Sequence, residues 1–551
     1  MKDPANLPRA ARRQQWLEQV DAVLRNSGIF AAGPLAIRAL EDGVEHPTLL
    51  NLAASVRFQE GRTVEAVALL KRARALAPRD ANILNSLGLC LRALGRMDAA
   101  MEAYDAAIRA DPRLAPAHYN RASVLAVLND ITAAKAGYER AVALDRSYVA
   151  ALGALAWLAA QNGDAAEARA YGERTAALSP GDIPARMALA FADLHDRDLG
   201  SARSRLEALR QDPAVTPTNR AIVLGLTGDL EDAAGRPAEA FAAYQASSGQ
   251  LQRLNAAIFE APGRESALAR ARRLSRWFSA TDPEPWREAP ETRPRAADPK
   301  AHVFLVGFPR SGTTLLENVL AAHPDVVSLE EKDCLNPSID AALGSDEGLE
   351  RLARIPGGEA ARQRDAYWAA VRGYGVEPRG KVFIDKMPLM SVNLPLIAKL
   401  FPKARILFAR RDPRDVVLSC FRRRFNMNPA MYQLLTLEGA AAFYDEVMRL
   451  AELYQVLLPL PQHLIRYESL VEDFDSTARA ACEFLGLEWS ESLRDFAARA
   501  RTRGISTPSA AQVARGLNRE GQGSWRRYHE QMGPVLPVLR PWVEAFGYEP
   551  D

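Results

Sequence analysis

The sequence predicts an all-α superhelix of stacked helix pairs, followed by an α/β domain with a doubly wound parallel sheet. Three observations support this fold class. Small and large residues recur every 34 positions in the N-terminal half, a Pro-rich stretch near residue 290 ends that pattern, and short apolar segments then alternate with helical segments. Such a change of hydrophobic period indicates a change from stacked helices to alternating strands and helices.

The composition excludes several classes of protein. Of the 551 residues, 48% are hydrophobic and 25% are charged, which is typical of a globular protein and not of a disordered chain. The 70 basic and 68 acidic residues leave a net charge of +2, so no global field favours a nucleic acid or a membrane surface. The four Cys lie far apart without a CxxC pair, which argues against a disulfide framework and a zinc site. Because no apolar leader or long apolar run occurs, we expect a cytoplasmic protein without membrane insertion.

The 34-residue step recurs at three kinds of position. They are the turn residues Gly61, Gly95, Asn129 and Gly163, the small residues Ala66, Ala100, Ala134, Ala168 and Ala202, and the closing residues Pro78, Pro112 and Pro180. Because one helix pair cannot bury its apolar face alone, successive pairs must stack. The pattern resembles an array of tetratricopeptide repeats (TPRs). About five units keep the register between 44 and 214, and a sixth, shifted by four residues, surrounds Gly235.

The repeats and the Pro-rich stretch divide the chain into four segments. Residues 1–43 are predicted to be a helical cap or degenerate repeat, 44–252 the TPR array, 253–296 a helical and Pro-rich linker, and 297–551 the α/β domain. TPR superhelices present an extended concave surface, so we expect the array to bind a peptide or a partner protein. A homo-oligomer is an arrangement that the sequence leaves open.

The α/β segment begins with a predicted strand at 302–307, a glycine-containing loop and a helix. The loop, Gly307-Phe-Pro-Arg-Ser-Gly-Thr-Thr314, has the G-x4-G spacing of a phosphate-binding P-loop. Backbone N–H groups of such a loop, with the helix N-terminus, surround a phosphate. Thr313 occupies the position of the Lys that reaches the β- and γ-phosphates in NTPases, which argues against ATP or GTP hydrolysis. Further strands are predicted at 381–385, 404–409 and 463–467.

Two segments resemble sulfotransferases that use 3′-phosphoadenosine 5′-phosphosulfate (PAPS). The string Pro309-Arg-Ser-Gly-Thr-Thr-Leu315 is similar to their 5′-phosphosulfate loop, and Phe408–Ser419 is similar to their 3′-phosphate-binding strand, loop and helix. The resemblance covers about 297–551 and is strongest toward tyrosylprotein sulfotransferases and their bacterial relatives. It implies a P-loop-like α/β domain that binds PAPS and releases the desulfated product PAP, with no metal.

The resemblance also implies which residues bind the cofactor. Arg411 and Ser419 would bind the 3′-phosphate, and Arg423, one turn after Ser419, is expected on the same helix face. Tyr467 would contact the adenosine. The residues that would surround the 5′-phosphosulfate are Arg310, Ser311, Gly312, Thr313 and Thr314.

Four residues have catalytic roles in the same resemblance. Glu331 would accept the proton of the acceptor hydroxyl, with Glu330 as its neighbour. Lys386 would stabilise the negative charge that develops on the bridging oxygen. Arg310 and Ser509 would bind the oxygens of the sulfuryl group.

We therefore expect a PAPS-dependent sulfotransferase whose acceptor is a hydroxyl, most directly a protein or peptide Tyr recruited by the repeats. The residues leave open a small-molecule or carbohydrate acceptor. They also leave open a P-loop NTPase or kinase, with Val382–Asp385 as a Walker B strand, and a TPR scaffold whose second domain binds a nucleotide without catalysis.

The division at 297 further predicts that a protein starting there retains PAP binding.

Overall fold

The computed structural model describes residues 9–128, 130–288, 290, 298–498, 516, 517, 519 and 521–550. The chain forms two compact units, residues 1–160 with 166–189, and residues 161–165 with 190–551. Within the described residues, no helix is long and apolar enough to cross a lipid bilayer.

The N-terminal half consists of consecutive helix–turn–helix units, as the 34-residue step predicts. Helix α1 (Arg9–Glu41) is kinked at Gly28 and precedes the regular repeats. Six pairs follow: α2 (Pro47–Gln59) and α3 (Thr63–Leu76), α4 (Ala81–Ala93) and α5 (Met97–Ala110), α6 (Ala115–Val127) and α7 (Ile131–Leu144), α8 (Val149–Gln161) and α9 (Ala165–Leu178), α10 (Ile183–His195) and α11 (Leu199–Gln211), and α12 (Pro217–Ala233) and α13 (Pro237–Phe259).

Glycine turns account for the 34-residue step, and the length of α12 accounts for the shift of the sixth unit. Gly61, Gly95 and Gly163 have φ values of 76°, 73° and 80°, a left-handed conformation that glycine adopts without steric cost. Arg197 takes the next equivalent position with φ 61°. The sixth unit is shifted by four residues because α12 has 17 residues, one helical turn more than the 13 of α10.

Small residues at the repeated positions are buried, as the pattern predicts. The five alanines of the step, Ala66, Ala100, Ala134, Ala168 and Ala202, are completely buried. A Cβ atom on Gly88 of α4 would lie 2.5 Å from the ring of Tyr104 on α5. The absence of a side chain at Gly88 therefore allows the two helices of this unit to pack around a buried tyrosine.

The C-terminal half contains a five-stranded parallel sheet. Its strands are β1 (Ala301–Gly307), β2 (Val326–Glu330), β3 (Val382–Lys386), β4 (Arg405–Arg410) and β5 (Gln462–Arg466), in the order β2-β3-β1-β4-β5. The four predicted strands are confirmed to within one residue at each end, and β2 is an additional strand. The strand order reverses at β1, and in open parallel sheets ligands bind at the carboxyl ends of the strands beside such a reversal.

Helices cover both faces of the sheet. Phe304 and Val306 of β1 belong to one core, while Val303 and Leu305 belong to the core on the opposite face. The α-helices of this half are α14 (Ala267–Ala280), α15 (Glu284–Arg287), α16 (Thr313–Ala321), α17 (Asn336–Leu343), α18 (Asp346–Ala353), α19 (Gly357–Gly373), α20 (Leu394–Leu400), α21 (Pro413–Arg422), α22 (Pro429–Gln433), α23 (Leu437–Leu457), α24 (Tyr467–Glu472), α25 (Phe474–Leu485), α26 (His529–Met532) and α27 (Leu536–Ala545). Short 3₁₀ helices lie at Pro388–Asn393, Glu491–Asp495 and Ser524–Tyr528.

The described part of the segment 253–296, residues 253–288 and 290, differs from the linker that the sequence predicts. Phe278 of α14 and Trp286 of α15 are buried in the same core as Phe304 of the sheet. The Nζ atom of Lys399 donates a hydrogen bond to the carbonyl of Glu288 over 2.6 Å and lies 5.4 Å from the ring of Trp286. Pro283 and Pro285 lie at the N-terminus of α15, where proline favours helix initiation, so they begin a docked helix.

We expect a shortened protein that begins at residue 297 not to fold cooperatively. It lacks Phe241, Tyr244, Phe278 and Trp286, which are buried in the transferase-side core. Losing one large aromatic side chain from a core costs about 3–5 kcal/mol, and a whole domain is stable by only about 5–15 kcal/mol. Urea unfolding followed by near-UV circular dichroism measures this, with a protein that begins at residue 181 as the control. If the 297–551 protein unfolds cooperatively at the same urea concentration as the full chain, this expectation is contradicted and residue 297 is a true domain boundary.

Candidate active site

The loop between β1 and α16 has a backbone that only certain residues can form. A Cβ atom on Gly307 would lie 2.6 Å from the carbonyl oxygen of Ala409, and one on Gly312 would lie 2.8 Å from the ring of Tyr467. Arg310, between these glycines, has φ 71°, which is uncommon for a residue with a side chain. Strained backbone of this kind concentrates at binding and catalytic sites.

The loop ends at the N-terminus of α16. Gly312 is the N-cap of this helix, and Thr313 and Thr314 form its first turn. Ser311, Thr313 and Thr314 are buried. The first N–H groups of a helix lack partners within the helix, so the loop and the first turn of α16 can bind an anion.

Arginines from separate elements meet beside this loop. The Nε atom of Arg310 donates to the Ser419 hydroxyl over 3.0 Å, and Nη1 of Arg411 donates to the carbonyl of Arg310 over 3.1 Å. The Arg411 guanidinium lies 4.9 Å from the ring centre of Tyr467. Burial lowers the pKa of Arg310 to about 9, and the guanidinium groups of Arg423 and Arg411 contribute to this decrease. Mutual repulsion of these cations favours a bound anion that would relieve it.

The third arginine follows the helix that contains Ser419. Helix α21 ends at Arg422, and Arg423 is its C-cap, with φ −97° and ψ 143°. Arg423 thus lies at the end of the helix and not within it, and its place on the face of Ser419 stays a prediction.

The arginine cluster fits a phosphate group on two further observations. The Nε atom of Arg411 is buried and has no hydrogen-bond partner among the described residues. The Nη2 atom of the same side chain donates to the carbonyl of Gly521, which fixes the guanidinium from the opposite side. A planar guanidinium held in this way presents an unused donor to a ligand.

A buried lysine lies at the carboxyl end of the neighbouring strand. Lys386 is 0% exposed, and its Nζ atom donates to Glu331 over 2.7 Å and to Glu330 over 3.3 Å. A third carboxylate, that of Glu317, lies 3.7 Å away. Burial alone would lower the pKa of Lys386, but these three carboxylates outweigh it and raise the pKa above its ordinary value. Lys386 is therefore positively charged throughout the physiological pH range.

The backbone of Glu331 is also unusual. Its φ is 46°, and its N–H group donates to the carbonyl of Lys386 over 2.9 Å. Its side chain is 30% exposed, whereas that of Glu330 is 16% exposed. Of the two adjacent carboxylates, Glu331 is thus the more accessible to a substrate.

The predicted residues form two groups at one edge of the sheet. Lys386 pairs in register with Leu305, two residues before the loop glycine Gly307, so the lysine group lies beside the phosphate loop. The Ser391 hydroxyl, just after β3, donates to the carbonyl of Gly307 over 3.3 Å. Ser509, the remaining predicted residue, lies outside the described residues.

Sequence reasoning missed two buried acids that organise this edge. Glu317 on α16 accepts a hydrogen bond from the Ser328 hydroxyl over 2.8 Å and lies near Lys386. Asp415 on α21 accepts the N–H groups of Gly523 and Trp525 over 2.7 and 3.0 Å, which holds the segment that contacts Arg411. The signal for Glu317 was a single acid within an apolar helical run, Thr-Thr-Leu-Leu-Glu317-Asn-Val-Leu. Asp415 gave no such signal, because it follows Arg411, Asp412 and Arg414 in a charged string.

Asp385 precedes Lys386 on β3, so the two side chains lie on opposite faces of the sheet. It accepts a hydrogen bond from the Tyr367 hydroxyl over 2.6 Å, and His302 Nε2 lies 3.0 Å from that same hydroxyl. Burial raises the pKa of Asp385 to about 7, although the bond from Tyr367 lowers it. Because the Asp385 side chain is hydrogen-bonded to Tyr367 within the core, the interpretation of Val382–Asp385 as a Walker B strand is weakened. In the described part of the chain, no group of three His, Cys, Asp or Glu side chains could hold a metal ion.

Comparison with family models identifies both halves of the chain. Residues 302–491 match the model described as Sulfotransferase family, and residues 51–115 and 119–183 match the model described as Tetratricopeptide repeat. The chain thus contains tetratricopeptide repeats and a C-terminal sulfotransferase domain, as the sequence motifs predict.

Curated relatives match the chain over less than half of its length. An uncharacterized protein of Aquifex aeolicus is 25% identical over 44% of this chain and 32% of its own length. Protein-tyrosine sulfotransferase 1 of Danio rerio is 27% identical over 45% of this chain and 72% of its own length. Protein-tyrosine sulfotransferase 2 of Gallus gallus is 26% identical over 45% of this chain and 69% of its own length. The chain spans about a third of the Aquifex aeolicus protein.

We expect Asp385→Asn to flatten the pH dependence of stability. The folded pKa of Asp385 is about 7, above the ordinary value, so the folded state retains a proton that the unfolded chain releases. Stability is then highest at low pH and falls as the pH rises toward 7. Between pH 5 and pH 8 this group should lower the free energy of unfolding by about 2–3 kcal/mol. Urea unfolding of both proteins across this range measures the difference, and parallel curves would show that Asp385 is ionised in the folded state.

Proposed function

We propose that this chain is a PAPS-dependent sulfotransferase that transfers a sulfuryl group to the hydroxyl of a tyrosine in a protein or peptide. The observation that best supports this function is the combination at one sheet edge of a phosphate loop, a buried arginine cluster and Lys386 with its carboxylates. The sulfotransferase domain and the protein-tyrosine sulfotransferases among its relatives support the same reaction class.

The two anion-binding elements match the two phosphate positions of PAPS. The N–H groups of Gly312, Thr313 and Thr314, with Arg310 and the Ser311 hydroxyl, would hold the 5′-phosphosulfate, whereas the Ser311 N–H donates to the carbonyl of Phe308 over 3.1 Å. Arg411, with Ser419 and Arg423, would hold the 3′-phosphate. ATP has no 3′-phosphate and needs a cation on its β- and γ-phosphates, whereas Thr313 provides only a hydroxyl at that loop position. The arginine cluster thus favours PAPS over ATP.

PAPS would supply an activated sulfuryl group attached to a phosphate. The residues of the protein would accept the proton of the acceptor and stabilise the negative charge that develops. As the acceptor oxygen bonds to sulfur, the bond from sulfur to the phosphate oxygen breaks and the acceptor O–H proton is released. Glu331 would take this proton, because its carboxylate is the more exposed of the adjacent pair. The pKa of a tyrosine, about 10, is far above that of a carboxyl group, so the proton moves as the sulfur–oxygen bond forms.

The contact between Glu331 and Lys386 links proton transfer to charge stabilisation. Before reaction, the Lys386 ammonium is bonded to the Glu331 carboxylate at 2.7 Å. Once Glu331 is protonated, its attraction for Lys386 weakens, and the ammonium charge becomes more available to the departing phosphate oxygen. Such preorganised charge in a buried site contributes strongly to rate.

The repeats supply the expected site for the acceptor protein. TPR arrays bind peptides and partner proteins on a concave surface, and a tethered second site raises the local concentration of its ligand. A protein acceptor therefore accounts for both halves of the chain. A carbohydrate or a small molecule would use only the C-terminal domain.

We expect PAP to raise the melting temperature of the protein and Mg·ATP to have little effect. Ligands that bind only the folded state stabilise it, and PAP engages both phosphate positions. Arg411→Ala should weaken PAP binding by about 1.5–3 kcal/mol, the free energy of a charged hydrogen bond. Thermal shift and isothermal titration calorimetry measure these effects.

Arg405→Ala is the matched control, because Arg405 lies at the opposite end of β4 from Arg411, which follows the strand, and its Nη1 atom donates to the carbonyl of Phe484 over 2.8 Å. It should leave PAP affinity unchanged. Equal stabilisation by Mg·ATP and by PAP would contradict the proposed function and favour an NTPase.

We expect Glu331→Gln to lower kcat with labelled PAPS and a tyrosine peptide by about 10²–10⁴-fold, the usual loss of a general base. PAP affinity should change little, because the substitution keeps the size of the side chain and leaves the arginine cluster intact. Glu330→Gln, which also removes one carboxylate from Lys386, is the matched control and should cost less. If Glu330→Gln has the larger effect, the base is Glu330; if neither slows transfer, the base lies elsewhere.

A further inference from the structure

Three consecutive arginines follow the helix that contains Ser419. Arg422 is the last residue of α21, and Arg423 has an extended backbone. The residues on either side of Arg423 both form ion pairs with helix α12: Arg422 with Asp232, and Arg424 with Asp229.

Arg422 is bound by the last helix pair of the repeats. Its Nη2 atom donates to the carboxylate of Asp232 on α12 and, over 3.2 Å, to the hydroxyl of Tyr244 on α13. Its guanidinium lies 5.1 Å from the ring centre of Tyr244 and 5.2 Å from that of Tyr528. The Tyr528 hydroxyl donates to the other oxygen of Asp232 over 2.7 Å, so this carboxylate is fixed on both sides.

Arg424 is bound by the same helix, about one turn away. Its Nη2 atom donates to Asp229 over 3.3 Å, and Asp229 also accepts the Tyr244 hydroxyl over 2.9 Å. A Cβ atom on Gly225 would lie 1.9 Å from Nη1 of Arg424. Helix α12 thus provides both the carboxylate and the space that this arginine needs.

Arg423 makes a different kind of contact. Its backbone N–H donates to the carbonyl of Cys420 over 3.2 Å, while its side chain forms no hydrogen bond or ion pair with any residue that the structure describes. Burial, with the charges of Arg422 and Arg424, lowers the pKa of Arg423, while Asp229 raises it. The end of α21 lies against the phosphate loop, because the Cys420 Sγ–H group, whose residue accepts the Arg423 N–H, donates to the carbonyl of Pro309 over 3.3 Å. After burial, the charge of Arg423 contributes most to the lowered pKa of Arg310, which agrees with a place in the anion-binding cluster.

We propose that Asp229 and Asp232 are positioning residues of the cofactor site: by holding Arg424 and Arg422, they keep Arg423 beside Arg310 and Arg411 for the 3′-phosphate. This inference rests on the proposed function. It makes the last helix pair of the repeats a part of the catalytic domain. PAP affinity should then depend on two carboxylates that never touch the ligand.

The test compares Asp229→Asn, Asp232→Asn and their combination in the full-length protein. The dissociation constants of PAP and of adenosine 5′-phosphate, which lacks the 3′-phosphate, are measured by calorimetry. The double variant should bind PAP about tenfold more weakly, since a displaced charged hydrogen bond costs about 1.4 kcal/mol or more. Adenosine 5′-phosphate affinity should not change. In turnover assays, the KM for PAPS should rise while kcat stays the same.

Asp340→Asn is the matched control. Asp340 pairs with Arg270 over 3.0 Å and joins α14 to α17 without touching the arginine cluster. It should leave the affinity for both ligands unchanged. Arg423→Ala provides a second measurement, because adding it to the double variant should weaken PAP binding little further if the aspartates act through Arg423.

Two results would overturn the inference. Unchanged PAP affinity in the double variant would show that the aspartates do not position the site. Equal weakening of PAP and adenosine 5′-phosphate would show a general structural role. By contrast, failure of the unmodified protein to bind PAP would contradict the proposed function itself.

Discussion

Buried positive charge at one edge of the sheet is the constraint on which the remaining structure depends. Lys386 is charged in a fully buried position because Glu317, Glu330 and Glu331 surround it. Burial lowers the pKa of Arg310, and repulsion by the neighbouring arginines near the phosphate loop adds to this decrease. A buried cation is costly unless it is paired. The lysine is paired by the protein, and the arginine cluster is suited to pairing with a ligand of high negative charge.

The same constraint explains why the last helix pair of the repeats packs into the C-terminal core. Three adjacent half-buried arginines need acids nearby, and α12 supplies Asp229 and Asp232. Phe241 on α13 packs against Phe421 on α21, with ring centres 5.1 Å apart, so apolar contact and charge pairing occur at the same place. Helices α12 and α13 therefore belong to both parts of the chain. Their sequence follows the repeat pattern, and their side chains complete the core of the C-terminal domain.

Much of this structure could be predicted from local patterns, and the misses have physical causes. The repeats were predictable because glycine turns and buried alanines recur at one step, and Arg197 could still take a glycine position. The phosphate loop was predictable because its glycines are required by close backbone contacts. Strand β2 was missed because its apolar run, Val326-Val-Ser-Leu329, is interrupted by a serine and followed directly by two acids. The prolines at 283 and 285 read as a linker, yet they lie at the start of a short helix whose Trp286 is buried in the core. Glu317 was missed because its partner Lys386 is distant in sequence.

The central claim is that the lysine–carboxylate group and the arginine cluster together perform sulfuryl transfer to a protein hydroxyl. A single-turnover experiment with radiolabelled PAPS, full-length protein and a tyrosine peptide library tests this most directly. The label should appear on tyrosine oxygen with the unmodified protein and be strongly reduced with Glu331→Gln. If PAP binds but no label reaches tyrosine, the central claim is contradicted.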